Sequence, residues 1–291
     1  MKLIMTLFVR DEEDIVGENI EYHLSRGVDH VIATDNLSRD ATGSILREFE
    51  RSGRLTYRFD DRDTLPQADC VTLMARVAHA MGADWVINND ADEFWWPENG
   101  WSLKAELEAI PAAFDGIFVE RSNYLRRRDT SEESPFYETM IHRDLQSRNP
   151  IGKPLPGKSA HRAHAEVNVQ PGNHHFALAE RKPNVALCRR IQVFHYPIRS
   201  YAEFENSILL GGAAYRRNAE LPETTGIARR TLYAIALQGS LPAYYQQNLH
   251  DDDSLTRRMK AGEVREDARL RDALRKLRAG QQESANPQTL I

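Results

Sequence analysis

The chain is predicted to be an α/β protein built on a mostly parallel sheet with flanking helices, extended at its C-terminal end by helices. Three observations carry that prediction. Apolar strands alternate with amphipathic helices at βαβ spacing through the first ninety or so residues, each strand ends in polar residues, and beyond about residue 200 the apolar spacing turns helical.

The run from Met1 to Val9 reads as the first buried strand, because it is short for a signal sequence and passes directly into Arg10-Asp11-Glu12-Glu13-Asp14. Asp14 is placed to cap a helix with Val16, Ile20 and Leu24 on one face, which Gly27 stops. Val28 to Thr34 is the second strand. A helix starting at Ser38 or Asp40 turns Ile45, Leu46 and Phe49 inward and stops at Gly53, and Leu55 to Phe59 is the third strand. Val71, Met74, Ala75, Ala78 and Met81 mark the next helical face, before a fourth strand at Trp85 to Asn89. Right-handed crossovers then make these four strands parallel. Gly116 to Leu125 is a further strand, followed by a polar, proline-punctuated stretch from Arg126 to Gly157 that is basic at Arg126, Arg127 and Arg128. Strand-like pieces at Lys158 to His164, Glu166 to Gln170 and Val185 to Phe194 precede helices at Tyr201 to Arg217, Ala228 to Gln238 and Glu263 to Arg278. The expected division is 1–215 as the main domain, 216–279 as a helical extension and 280–291 as a disordered polar tail.

At 291 residues and 41% hydrophobic content the chain can bury a full core, and its net charge of −5 gives no reason to expect nucleic-acid binding. Cys70 and Cys188 sit in apolar surroundings far apart, as reduced core thiols do, which points to a reducing, cytoplasmic setting. No apolar run reaches the roughly 18 residues of a membrane span, so contact with the inner face of a membrane would be peripheral.

The densest chemistry is Asn88-Asn89-Asp90-Ala91-Asp92-Glu93-Phe94, where a strand delivers three carboxylates within four positions. In extended chain Asp90 and Asp92 point the same way and can face one hard cation, Mn²⁺ or Mg²⁺. The other strands end in Arg10 and Asp11, in Asp35 and Asn36, and in Asp60, Asp61 and Asp63. Four polar clusters at the carboxyl ends of parallel strands form a rim on which a ligand can bind.

Val9-Arg10-Asp11-Glu12-Glu13, Glu18-Asn19-Ile20-Glu21-Tyr22-His23, Asp35-Asn36 with Ser38, Asp40 and Thr42, and Asn89-Asp90-Ala91-Asp92-Glu93-Phe94 together resemble glycosyltransferase family 2 enzymes of GT-A fold. The likeness is to the branch whose metal motif reads D-x-D-E-F, and Phe194-His195-Tyr196-Pro197 with Arg199, Ser200, Glu203 and Phe204 resembles that branch's segment after the last strand. The resemblance covers roughly residues 1 to 215. It implies inverting transfer of a sugar from a UDP- or GDP-linked donor to a carbohydrate, lipid-linked or small-molecule hydroxyl, with a divalent metal on the diphosphate.

In that resemblance Asp92 binds the metal, Asp90 assists or faces the ribose, and a late histidine completes the set. His195 is one choice and His174 with His175 the other. Asp35 and Asn36 would meet the base or ribose, Arg10 and Asp11 would line the nucleoside pocket, and Arg76 and Lys158 are candidates for the phosphates or are solvent-facing. Glu120, Glu93 and His175 are the candidates for general base, since the usual acidic signature of the family is not evident. Trp95, Trp96 and Trp101 either stack on a sugar ring or pack in the core. Two readings from other classes stand beside this one. A nucleotidyltransferase should carry a glycine-rich basic loop where Arg10 to Asp14 is acidic, and a non-catalytic carbohydrate-binding protein would need neither metal nor nucleotide.

Overall fold

The computed structural model describes residues 1–100 and 102–285. Its strands are β1 (Leu3–Val9), β2 (His30–Asp35), β3 (Leu55–Phe59), β4 (Trp85–Asn89), β5 (Glu93–Pro97), β6 (Gly116–Leu125), β7 (His142–Asp144), β8 (Lys158–Arg162), β9 (Val167–Val169), β10 (Phe176–Leu178), β11 (Val185–His195) and β12 (Val264–Glu266). Its helices are α1 (Val16–Ser25), α2 (Thr42–Arg51), α3 (Gln67–Ala80), α4 (Leu103–Glu108), α5 (Phe136–Thr139), α6 (Tyr201–Arg217), α7 (Ile227–Leu237), α8 (Leu241–Gln247), α9 (Asp252–Lys260) and α10 (Arg269–Ala285).

The order β3-β2-β1-β4 is parallel throughout, as the three crossover helices require. Beyond β4 the sheet becomes mixed: β8 inserts antiparallel between β4 and β6, β11 runs parallel to β6, and β5 returns antiparallel on β11. The result is the α/β, GT-A-type architecture that was expected, with helices on both faces of a central sheet. Alternation along β1 explains the two faces. Leu3, Met5, Leu7 and Val9 enter one core with Ile20 of α1, Leu46 of α2 and Leu274 of α10, while Ile4 and Phe8 enter a second with Val71 and Met74 of α3. A third cluster joins Phe204 and Ile208 of α6 to Leu232 of α7 and Leu241 and Tyr245 of α8. Both cysteines are free and buried, and among the described residues no helix is long and apolar enough to cross a membrane.

Several local expectations change. Asp14 does not cap α1, whose N-cap is Ile15 without a side-chain bond, because its carboxylate is taken by Arg199. The second helix starts only at Thr42, while Ser38 accepts the Asp11 amide of the loop after β1, and Asp40 accepts the Glu13 amide of that loop and the Thr42 amide at the helix start. Residues 264–266 form a strand on β7 rather than the start of the last helix, and that helix runs on to Ala285, into the stretch expected to be a disordered tail. Residues 286–291 lie outside the described residues. Trp95 and Trp96 are core residues, the Trp95 indole donating to Asn89 at 3.0 Å, so neither offers a sugar platform; Trp101 lies outside the described residues.

Candidate functional site

Cross-strand register builds the site. His195 of β11 pairs with Glu93 of β5 on one side and with Asn123 of β6 on the other, and Val193 of β11 pairs with Arg121. Paired residues share a face, so Glu93, His195, Asn123 and Arg121 project together. Lys158 of β8 pairs with Val119, in phase with Arg121, and joins the same face. Arg121 bonds the fully buried Glu93, whose Oε1 also lies 3.1 Å from the Lys158 ammonium, and Lys158 in turn pairs with Asp90 and donates to the Gly172 carbonyl at 2.8 Å. Lys158 is 1% exposed, so it is a buried counter-ion for two carboxylates rather than a surface lysine.

Asp90 and Asp92 turn to different partners. They lie in a turn closed by the Glu93 amide on the Asp90 carbonyl at 3.1 Å, which breaks the two-residue alternation on which their common direction depended. Asp90 faces Lys158, Gln67 at 3.1 Å and Asn173 at 3.0 Å. Asp92 instead lies 3.1 Å from Nε2 of His195, and donor atoms of Asp92, Glu93 and His195 all fall within 4.8 Å of one another.

This donor set fits a divalent cation. His195 Nδ1 faces the Asn123 amide oxygen at 2.7 Å, and the Asn123 nitrogen is oriented toward the Arg148 carbonyl at 3.3 Å. With Nδ1 on Asn123, the other ring nitrogen, Nε2, is left facing the Asp92 carboxylate. Oε2 of Glu93 is buried with no hydrogen-bond partner. An imidazole nitrogen and two carboxylates, one with an unbonded oxygen, lie close enough together to share one cation.

The surroundings hold Asp92 ionised. Burial alone would raise its pKa, but His195, then Arg199 and Arg121, outweigh it and pull the carboxyl well below its ordinary range. Arg199, 3% exposed, is the hub of a second cluster. It reaches Glu12 at 2.7 Å, Asp14 at 2.6 Å and Glu203 at 3.1 Å, joining the loop after β1 to the first turn of α6. Burial raises the Glu203 carboxyl to about 7 against the pull of Arg199, with Asp14 and Asp92 adding to the rise, and it raises Glu12 as well. The sequence does not announce this cluster: Arg199 and Glu203 stand in the motif after the last strand, Glu12 in the acidic first loop, and Asp14 at an expected helix cap. The i,i+4 spacing of Arg199 and Glu203 was the one available signal.

The expected nucleotide residues do gather on the rim, but each is engaged. Asp35 accepts from the Ser38 amide at 3.0 Å and the Tyr57 hydroxyl at 3.1 Å, and Asn36 ties down the Asp60 and Arg62 carbonyls while its own Oδ1 is buried without a partner. Arg10 pairs with Asp63 at 2.7 Å, and Asp11 holds the Arg39 amide. Across these residues lies α6. Asn206 bonds Asp11 at 3.0 Å, Arg217 pairs with Asp63 at 2.7 Å, and Asn218 bonds the Thr64 carbonyl at 2.8 Å. Arg76 stands away from the rim, its Nε on the Val167 carbonyl at 2.9 Å. Glu120 is exposed and one residue out of phase with Arg121, so it faces away from the cluster. His175 is exposed and stacks on Phe118 at 5.9 Å, whereas burial, with Lys158 nearby, holds the neighbouring His174 down to about 4, and its Nδ1 faces the Gly157 carbonyl.

The GT-A-type sheet carries a carboxylate and histidine cluster at the end of its fourth parallel strand, and the family model that the chain matches is that of an enzyme of the glycosyltransferase class. The chain belongs to glycosyltransferase family 92, whose family model matches residues 4–201. That assignment replaces the family 2 resemblance, which the acidic motif and first loop suggested, and keeps its glycosyltransferase activity. No curated protein matches the chain. Among solved structures, residues 1–349 of S. aureus TarS align over 98% of this chain and 92% of that one at 11% identity and a TM-score of 0.41. The same protein in complex with UDP-GlcNAc aligns over 81% and 72% at 12% identity and 0.42. Glucosyl-3-phosphoglycerate synthase from Mycobacterium tuberculosis, in complex with Mg²⁺ and UDP, aligns over 42% and 43% at 18% identity and 0.30. At TM-scores this low no residue role is taken from them.

Proposed function

We propose that the chain transfers a sugar from a nucleoside diphosphate donor, UDP- or GDP-linked, to a hydroxyl acceptor, with Mn²⁺ or Mg²⁺ held by Asp92, His195 and the free oxygen of Glu93. The observation that carries this reading is that Asp92, Glu93 and His195 each bring a donor atom within 4.8 Å of the others at the carboxyl end of the parallel strands, where ligands of such sheets gather. The bound cation would supply Lewis-acid stabilisation of charge on the departing diphosphate. Asn123 fixes the ring of His195, Arg121 and Lys158 fix Glu93, and Lys158 keeps Asp90 beside Gln67 and Asn173 as a polar wall for the donor. In the transfer, the acceptor oxygen bonds the anomeric carbon as the bond from that carbon to the diphosphate oxygen breaks. The diphosphate leaves with the electron pair, and the hydroxyl proton passes to a basic group of the cleft. Inversion, expected from the sequence resemblance, belongs to this proposal and is read from the anomeric configuration of the product. Calorimetry with UDP and GDP, each with and without Mn²⁺, tests the reading: metal-dependent binding of one of them is expected, and its absence for both overturns it. Asp92→Ala should lower transfer by about 100-fold or more with the melting curve retained, the scale seen when a charge-stabilising group is removed from an active site.

A further inference from the structure

One cation packed on α6 has no carboxylate partner among the described residues. Arg10, Arg199 and Arg217 each pair with at least one acidic group, but among the described residues Arg229 of α7 pairs with none. Its NH1 alone is anchored, donating to the carbonyl and hydroxyl of Ser207 at 2.8 and 3.0 Å. The position is built by two glycines. A Cβ on Gly211 would stand 2.4 Å from Arg229 NH1, and one on Gly212 would stand 2.2 Å from the Tyr233 ring, so α7 crosses α6 through a notch that only glycine leaves open. Glu203, Ser207, Gly211 and Tyr215 follow at four-residue intervals and form one stripe of α6. At one end Glu203 meets Arg199. At the other, Tyr215 shares a small pocket of about 70 Å³ with Gln67 and Pro171, and Gln67 bonds Asp90. The guanidinium of Arg229 thus lies midway along a stripe that spans the rim from the neighbourhood of Asp92 to that of Asp90. Electrostatics agree: burial raises both the Glu203 carboxyl and the Tyr215 hydroxyl, Asp92 adds to the first and Asp90 to the second, and Arg229 opposes both.

We propose that Arg229, held in the Gly211-Gly212 notch with its remaining nitrogens unpaired, binds the diphosphate of the nucleotide donor. This rests on the donor class proposed above. A planar cation anchored at one nitrogen has its other donors in a fixed fork, the geometry that phosphate oxygens accept. Because α7 lies outside the stretch matched by the family model, this contact belongs to the part of the chain that the family assignment does not describe. The test is calorimetry of UDP and GDP in Mn²⁺, with saturation-transfer NMR of uridine and guanosine, on wild type, Arg229→Gln, Arg229→Lys and Gly211→Ala. Arg229→Gln should weaken binding of the nucleoside diphosphate about tenfold or more while the nucleoside signal persists. Arg229→Lys, which keeps the charge without the fork, should fall between, and Gly211→Ala, whose methyl displaces the guanidinium, should match Arg229→Gln. Wild-type diphosphate affinity in Arg229→Gln overturns the role of Arg229 alone, and equal loss of nucleoside and diphosphate overturns it in favour of a structural role. If the wild-type protein binds neither diphosphate, the donor class falls and the inference with it.

Discussion

The two sides of the cleft use the same kinds of ion pair in opposite ways. On the strand side, Lys158, Glu93 and Arg121 are each less than a tenth exposed, and their register is fixed by four hydrogen-bonded strands. On the rim side, the link from Arg217 of α6 to Asp63 is 45% exposed at both ends. Charges removed from water must keep their partners, whereas exposed pairs exchange them for water at little cost. The strand side is therefore a fixed anchor and the rim side a fastening that opens to water at little cost.

The largest expected effect comes from breaking the anchor. Lys158→Met takes the buried ammonium from Asp90 and leaves Glu93 with Arg121 alone, and should lose about 3 to 5 kcal/mol in urea unfolding. A loss no larger than that of a surface pair would mean the strand side is hydrated. Second is a pH effect at the junction of the two sides. The folded state raises Glu203 from 4.5 to about 7, so the stability of its protonated form is present in full below pH 4.5 and is lost as pH rises through about 7. Denaturation in metal-free buffer at pH 5 and pH 8 should show a fall that Glu203→Gln reduces. Ser200, whose hydroxyl accepts the Glu203 amide at the start of α6, gives the next effect: Ser200→Ala should lower stability by about 1 kcal/mol. Arg217→Ala, at the exposed fastening, should change stability by only about 0.5 kcal/mol. A cost for Arg217→Ala approaching that of Lys158→Met would erase the contrast.

The parallel half of the molecule was legible because its signals are local. Leu55–Phe59 and Trp85–Asn89 have the bounds expected from apolar runs between turn residues, and Gly27 and Gly53 stop their helices with positive φ. His195 was also within reach, since it ends a long apolar strand, and it lies beside Asp92. Glu93 could not be read as a neighbour of His195, because their adjacency is a cross-strand pairing between β5 and β11, and Lys158 could not be read as buried, because β8 inserts between two strands distant from it in sequence. The exchange of Asp90 for Glu93 beside Asp92 has a local cause: one turn at Ala91 shifts the phase by which alternating side chains were assigned.

Lys158 also bears on the order in which ligands arrive. Asp90, Asp92 and Glu93 bring three negative charges, and Lys158 and Arg121 already cancel two of them. For the cation proposed above, a basin so nearly neutral would retain the lone ion weakly, while an ion already chelated by a diphosphate would bring its own counter-charge and be held by both protein and nucleotide. On that proposal, a side chain sealed from solvent favours joint capture of ion and donor over stepwise loading.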